Sequence, residues 1–486
     1  MEKKDLKPAG VFKYFEEICQ VPRPSKKEEK MIAYLKAFGA KHNLETKVDE
    51  AGNVLIKKPA TPGKENLQTV VLQSHIDMVC EKNNDVQHDF LTDPIETEID
   101  GEWLKAKGTT LGADNGIGVA TELAILADDN IEHGPLECLF TVDEETGLTG
   151  AFALQEGFMS GDILLNLDSE DEGEIFIGCA GGIDSVAEFT YKEVEVLAGY
   201  FFFKVEVKGL KGGHSGGDIH LGRGNANKIL NRFLSRMAGR HDLYLCEING
   251  GNLRNAIPRE AYAICAVPED AKHDVRTELN IFTSEMEDEL SVVEPDLKLV
   301  LESEAPRKIA IDQDTTTCLL KALYAAPHGV YAMSQDIPGL VETSTNLASV
   351  KMKPNHIIRI ETSQRSSILS ARNDMANTVR AVFQLAGANV TFGEGYPGWK
   401  PNPHSAILEV AVESYKRLFG VDAKVKAIHA GLECGLFLDK YPTLDMISFG
   451  PTLTGVHSPD ERMLIPTVEK FWKHLLDILA HVPAKK

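Results

Sequence analysis

TVVLQSHID (residues 69–77) decides how the rest of this chain is read. It runs apolar, the pattern of a central strand covered on both faces, and it ends in His75 and Asp77. Alternation puts these two side chains on one face. There the carboxylate can hold the imidazole by its second ring nitrogen, fixing its tautomer and raising its basicity. Two more runs behave alike. PLECLFTVDEE (135–145) is apolar until it reaches Glu144 and Glu145, and DILLNLD (162–168) until it reaches Asp168. Open α/β sheets place ligands at the carboxyl ends of such strands.

Around these strands the spacing predicts helices over 10–19 and 27–42, a strand NVLIKK (53–58), and a helix in ADNGIGVATELAILAD (113–128). That βαβ rhythm indicates a mixed or parallel sheet sandwiched by helices. Near residue 186 the pattern changes. AGYFFFKVEVKGL (198–210) opens a stretch of strands with one polar face, with helices at about 223–238, 270–289, 312–325 and 369–385 and a hairpin-like strand pair around KPN (353–355). Such strands suit an antiparallel sheet with helices on its other face. From about 390 the buried pattern returns, with a helix at 404–419, a strand DMISFG (445–450) and a loop holding His457. For His457 to join the earlier strand ends, 187–390 must be an insertion. The expected fold is therefore α/β: a three-layer αβα domain with a mixed central sheet, built from 1–186 and 391–486, plus an inserted α+β domain with an antiparallel sheet.

Composition fits an ordinary soluble enzyme, with 43% apolar and 26% charged residues in a chain of 486. The net charge of −22 argues against nucleic acid as a partner. The eight Cys form no CxxC pair and read as reduced thiols of a cytoplasmic protein. MEKKDLKPAG carries no apolar leader core, and no run approaches the length of a membrane helix.

Five residues form a metal-ligand-type set: His75, Asp114, Glu145, Asp168 and His457. Two imidazoles and three carboxylates suit a pair of zinc-like ions with one carboxylate shared, and cobalt or manganese would also fit. Asp77 and Glu144 stand beside them for orientation and proton transfer. Each residue alone has a plainer reading. Asp114 in LGADNGIG could cap a helix, Glu144–Glu145 could be a solvated acidic turn, and His457 a surface His. On an extended chain Glu144 and Glu145 would point in opposite directions and take separate roles.

SHIDMV, GADNG, DEETG, LDSE and HSPDE, in this order, resemble the co-catalytic zinc aminopeptidase/carboxypeptidase clan. HDF, DGEWLKAKGTTLGADNG, GCAGG, KGLKGGHSGG, LRNAIPRE, YPGWKP and IHAGLECGLF extend the likeness to its dipeptidase branch over essentially the whole chain. The resemblance implies two ions bridged by Asp114. His75 and Asp168 would complete one site, and Glu145 and His457 the other. Glu144 would act as general base and then general acid, with Asp77 orienting His75. It also implies substrate contacts from His214 in KGGHSGG, Asn255, Arg365, Gly431 and Glu433, a small-peptide substrate, and a homodimer formed through the inserted lid domain. Within the clan, N-acyl amino acid deacylases and aminopeptidases are the competing activities. A metal-free binding or scaffold protein is the alternative outside enzymes.

Overall fold

The computed structural model describes residues 3–83 and 85–485; Met1, Glu2, Asn84 and Lys486 lie outside the described residues. The chain divides into two compact units. One comprises residues 1–179, 399–427 and 432–486, and the other 180–398 and 428–431. The change of pattern near residue 186 falls inside the strand Gly181–Thr190, which belongs wholly to the second unit.

The first unit is built on an eight-stranded mixed sheet. Its order is Glu45–Val48, Val54–Lys58, Leu136–Thr141, Val70–His75, Ile163–Asn166, Asp445–Ser448, Glu174–Cys179 and Lys424–Ile428. Val70–His75 lies parallel to both neighbours, with Val70 opposite Leu136 and Ile163. Every residue of Val70–His75 and of Leu136–Thr141 is buried, the polar Gln73, Ser74 and Glu137 included, as expected of strands covered on both faces. The parallel register brings the carboxyl ends of three strands to one edge of the sheet. The residues that follow those ends are Asp77, the Glu144–Glu145 pair and Asp168. The sheet is mixed because Val54–Lys58 pairs antiparallel with Leu136–Thr141. Ala9–Cys19, Glu29–Lys41, Ala113–Ala127, Ala406–Phe419 and Ile465–Ala480 are the main helices of this unit.

A separate four-stranded antiparallel sheet in the same unit brings the late histidine home. Leu453–Thr454 and Arg462–Leu464 form a hairpin, and Arg462–Leu464 pairs with Trp103–Ala106. Residues 455–461, which carry His457, connect the hairpin strands. Trp103–Ala106 leads directly into the loop before Asp114. The Arg462 guanidinium sits 4.5 Å from the Trp103 ring centroid, a cation–π contact that fastens the two strands side to side.

The second unit holds a nine-stranded antiparallel sheet. Within it Tyr200–Lys208 pairs with Ala261–Pro268, and Val341–Lys353 with Ile357–Ser366. Tyr200–Lys208 alternates between buried and part-exposed residues along its second half, which is the period-2 signature of a half-solvated sheet. Ala226–Arg240, Lys272–Leu290, Gln313–Ala325 and Leu369–Leu385 bury Phe233, Phe282, Leu319 and Phe383 against its apolar face.

Candidate metal centre

His75 is the last residue of its strand and is 1% exposed. Asp77, two residues on, is fully buried, and its Oδ1 stands 3.2 Å from His75 Nδ1. Asp77 is itself surrounded by donors. Its Oδ1 accepts from the Glu144 amide (3.1 Å), and its Oδ2 from Ser25 Oγ (2.8 Å) and the Glu145 amide (3.2 Å). Burial alone would raise this carboxyl, but His75, the Ser25 hydroxyl and the Glu144 amide hold it below the usual carboxylate range. One carboxylate therefore orients an imidazole and pins the backbone of the acidic pair that follows the neighbouring strand.

That acidic pair departs from the expectation of an extended chain. The strand ends at Thr141, Asp143 adopts a left-handed φ of 50°, and Glu144–Gly147 form one helical turn. The Asp143 carboxylate accepts from the Thr146 and Thr149 hydroxyls and closes the turn. Glu144 and Glu145 thus diverge as consecutive residues of a helical turn, about 100° apart around its axis, and not by strand alternation.

Asp114 and Asn115 interrupt helical geometry at the start of Ala113–Ala127. The Asn115 side chain accepts from the Gly118 amide (3.2 Å). Asn115 therefore supplies the cap, leaving the Asp114 carboxylate for other work. The glycines of GADNG make room for a cation of the chain itself: a Cβ at Gly112 or at Gly116 would come within 2.6 Å of the Arg23 guanidinium. Arg23, 2% exposed, donates to the carbonyls of Ile76 (3.2 Å), Asp77 (3.0 Å) and Gly112 (2.6 Å).

The two Asp114 oxygens face two different histidines. Oδ1 lies 3.1 Å from His75 Nε2, and Oδ2 lies 3.1 Å from His457 Nε2. Each histidine faces one further carboxylate, with Asp168 Oδ1 3.4 Å from His75 Nε2 and Glu145 Oε2 3.0 Å from His457 Nε2. His75, Asp114 and Glu145 each offer a ligand atom within 4.8 Å of the others. Asp168 Oδ1 and Glu145 Oε1 are buried without a hydrogen-bond donor among the described residues. Buried anionic oxygens left without donors call for cations, and this donor set of imidazoles and carboxylates suits two divalent ions sharing Asp114. A second group of three buried carboxylates, Glu28, Asp77 and Asp143, is different. Glu28 accepts from the Lys26 and Asp143 amides, and the other two are satisfied as described above.

Electrostatics agree with a site that wants positive charge. Burial opposes charging His75, yet Asp168, Asp114 and Asp77 together raise it well above the usual imidazole range. Hydrogen bonding to Asp114 and Glu145 pushes His457 up to about 11. Burial drives the Glu144 carboxyl well above its usual range; His75 opposes this, while Asp168, Glu433 and Glu145 add to it. Glu433 is fully buried instead of lining an open edge. Its Oε2 accepts from Gln73 (2.7 Å) and Thr141 (2.9 Å), and burial lifts it to about 7 against the opposing pull of His75.

The other residues singled out in the sequence lie in the second unit. His214 Nδ1 accepts from the Gly217 amide (3.0 Å) and the Gly216 amide (3.3 Å), so the ring proton resides on Nε2. Burial, reinforced by Arg365, lowers His214 to about 4; it is a neutral donor at physiological pH. Exposed Asn255 is beside it in the backbone pairing, its carbonyl accepting from the Ser215 amide (2.8 Å). Arg365 is 7% exposed. It donates to Tyr396 Oη (3.0 Å), its Nε has no acceptor, and no carboxylate pairs with it among the described residues. Gly431 lies under the Tyr396 ring, which a Cβ would meet at 3.0 Å. Sequence reasoning gave no role to Arg23, Ser25, Tyr396 or Glu461. Glu461 lies within the quoted HSPDE, but nothing local distinguishes its carboxylate from a solvated one.

Comparison with known proteins matches residues 71–481 to the model of peptidase family M20/M25/M40. The chain is 47% identical over 484 residues to the cytosol non-specific dipeptidase of Escherichia coli (strain K12), covering 100% of each. A crystal structure of aminoacylhistidine dipeptidase from Vibrio alginolyticus superposes with a TM-score of 0.92 at 46% identity, covering 100% of this chain and 99% of that one. Aminopeptidase PepT from Bacillus cereus ATCC 10987 shares the fold alone, with a TM-score of 0.61 at 16% identity over 98% of this chain and 99% of its own.

Proposed function

Because the chain belongs to peptidase family M20/M25/M40, we propose that it hydrolyses unblocked dipeptides, Xaa-His among them, at a centre of two divalent ions, zinc foremost. The observation that carries this reading is Asp114, whose two oxygens each face a histidine paired with a further carboxylate. His75, Asp114 and Asp168 would hold one ion, and Asp114, Glu145 and His457 the other. Ions bound there would supply Lewis-acid chemistry, polarising the scissile carbonyl and making a water easier to deprotonate.

Glu144 takes the proton from the attacking water as its oxygen adds to the carbonyl carbon. The same carboxyl gives that proton to the amine nitrogen as the C–N bond breaks. Burial and the neighbouring acids make this carboxyl hold a proton more readily than a solvated one, which suits a group that must take a proton up and pass it on. Asp77 keeps His75 oriented and the Glu144–Glu145 turn in place. His214, neutral and with its proton on Nε2, is fitted to donate to the oxyanion. Arg365, a buried guanidinium without a carboxylate among the described residues, is fitted to receive the peptide carboxylate, with Asn255 and Gly431 as further substrate-binding candidates, whereas the buried Glu433, held by Gln73 and Thr141, would act only from behind the site. The protein is proposed to work in the cytoplasm as a homodimer joined through its second unit, which light scattering on the purified protein tests.

Activity is tested on a panel of dipeptides, including Xaa-His, with tripeptides and N-acetyl amino acids, after chelation and again after adding Zn²⁺ or Co²⁺. Metal-dependent cleavage of free dipeptides is expected. Preference for N-acetyl amino acids would replace this reading with a deacylase, preference for longer peptides with an aminopeptidase, and metal-independent turnover would end it.

A further inference from the structure

We propose that Glu461 is a positioning residue which, with Arg23, fixes the Asp114 loop to the His457 hairpin so that both Asp114 oxygens stand ready for ions. The inference rests on the two-ion reading above. Glu461 is 2% exposed, and its carboxylate accepts from four consecutive backbone amides. Oε2 takes Leu111 (2.7 Å) and Gly112 (3.0 Å), while Oε1 takes Ala113 (2.8 Å) and Asp114 (3.3 Å). These amides precede the regular part of the helix, so no intrahelical carbonyl is available to them. One carboxylate thereby satisfies a run of donors that would otherwise be buried orphans.

Glu461 also belongs to the His457 connection. Its amide donates to the Ser458 carbonyl (3.0 Å), and Arg462, the next residue, starts a strand of the small sheet. On the far side of the loop, Arg23 grips the Gly112 carbonyl and the carbonyls of Ile76 and Asp77. Gly112 is thus held by its N–H through Glu461 and by its C=O through Arg23. A continuous path runs from the His457 hairpin through Glu461, Gly112 and Arg23 to the end of the His75 strand. The three backbone segments that carry Asp114 and its two histidines are thereby locked in one frame. Both Glu461 oxygens are taken up by these backbone amides, so its effect passes through Asp114 and His457.

Wild-type protein, Glu461→Gln and Glu461→Asp are stripped with a chelator and titrated with Zn²⁺ by competition. The Co²⁺-loaded forms are compared by visible absorption, and the apo forms by thermal unfolding. The Gln variant keeps the volume but turns an NH₂ towards two backbone N–H groups. Residues that orient metal ligands typically contribute about 10–100-fold in affinity. A loss of that size in Glu461→Gln is expected, with an altered Co²⁺ spectrum and partial recovery in Glu461→Asp. Wild-type Zn²⁺ affinity and an unchanged Co²⁺ spectrum in Glu461→Gln, with only the apo melting temperature lowered, would reduce Glu461 to a structural cap and overturn the proposal. If Glu461→Gln does not fold, Glu461→Asp decides by the same measurements, and wild-type affinity there overturns it equally. Failure of the wild-type protein itself to take up ions would instead sink the two-ion reading, a result separable from the first.

Discussion

Replacing Asp77 by Asn tests whether one buried carboxylate aligns the centre. The native Oδ1 receives the Glu144 amide and faces His75 Nδ1, and Oδ2 receives Ser25 and the Glu145 amide. An Asn must place its carbonyl oxygen at the Oδ1 position, because an NH₂ there would confront both an amide N–H and the imidazole. Its NH₂ then occupies the Oδ2 position. Ser25 can turn its hydroxyl and accept, but the Glu145 N–H meets another donor. A buried amide left unpaired costs about 1–3 kcal/mol, or about 5- to 150-fold in an equilibrium constant. The loss falls on the backbone of Glu145, and the negative charge facing His75 disappears with it. We expect Asp77→Asn to fold, to lose about 10–100-fold in Zn²⁺ affinity, and to lose kcat/KM even at saturating metal. Zn²⁺ competition, dipeptide kinetics and circular dichroism on one preparation check this. A folded Asp77→Asn enzyme with wild-type Zn²⁺ affinity and wild-type kcat/KM would refute the reasoning.

Glu144→Gln should bind metal as the wild type does while kcat falls by about 10²–10⁴-fold; metal content and steady-state kinetics on the same sample test it. Arg365→Met should raise KM for a free dipeptide by about 10–100-fold and leave its C-terminal amide nearly unaffected; equal effects on the two substrates would remove Arg365 as the carboxylate partner. Buried His474 has Nε2 2.8 Å from the Ala411 carbonyl, and burial lowers it to about 4 despite that contact. Below about pH 6.5 the unfolded chain gains this proton before the native state does, so stability should decline as pH falls from about 6.5 towards 4, by about 2 kcal/mol at pH 5 for this group. Urea unfolding across that range should show a flatter decline in His474→Gln; an identical slope would exclude His474 as a contributor.

The mixed sheet was legible in the sequence because its central strands are covered on both faces, which leaves a continuous apolar run ending abruptly in polar residues. Val70–His75, Leu136–Thr141 and Ile163–Asn166 all carry that signature. The hairpin Val341–Lys353/Ile357–Ser366 was legible from two strand-like runs flanking KPN. The small sheet that delivers His457 was not. Its strands are two to four residues long, too short for any period to show, and their pairing joins segments more than 300 residues apart in sequence. The geometry of Glu144–Glu145 was missed for a related reason. A left-handed Asp143 ends the strand before the acidic pair, and no hydrophobic period marks one residue that reverses the sign of φ.

The candidate ligands and the residues that hold them differ in legibility for a physical reason. A candidate ligand stands where an element ends, so its residue type contrasts with the apolar run before it. A residue that holds a ligand in place has no such constraint. Arg23 and Glu461 are charges buried at 2% exposure, where an unpaired ion would be strongly disfavoured. They are tolerated because peptide dipoles from Gly112 and its neighbours point at both of them. Local sequence shows only an Arg between prolines and a Glu after an Asp, the ordinary composition of a solvated loop. Their partners are about 50 to 350 residues away, and only the folded chain brings the amides to the carboxylate. The glycines of GADNG carry half of this message. They read as permission for close approach, and the guest that uses it at Gly112 and Gly116 is the Arg23 side chain. Arg23→Lys therefore sets the sharper question. A single ammonium cannot span the Gly112 carbonyl and the Ile76–Asp77 pair with the planar reach of a guanidinium, so the frame should loosen although the charge remains. Zn²⁺ affinity should then fall in the same direction as in Glu461→Gln, and an Arg23→Lys protein with wild-type affinity would show that Glu461 acts without its partner across Gly112.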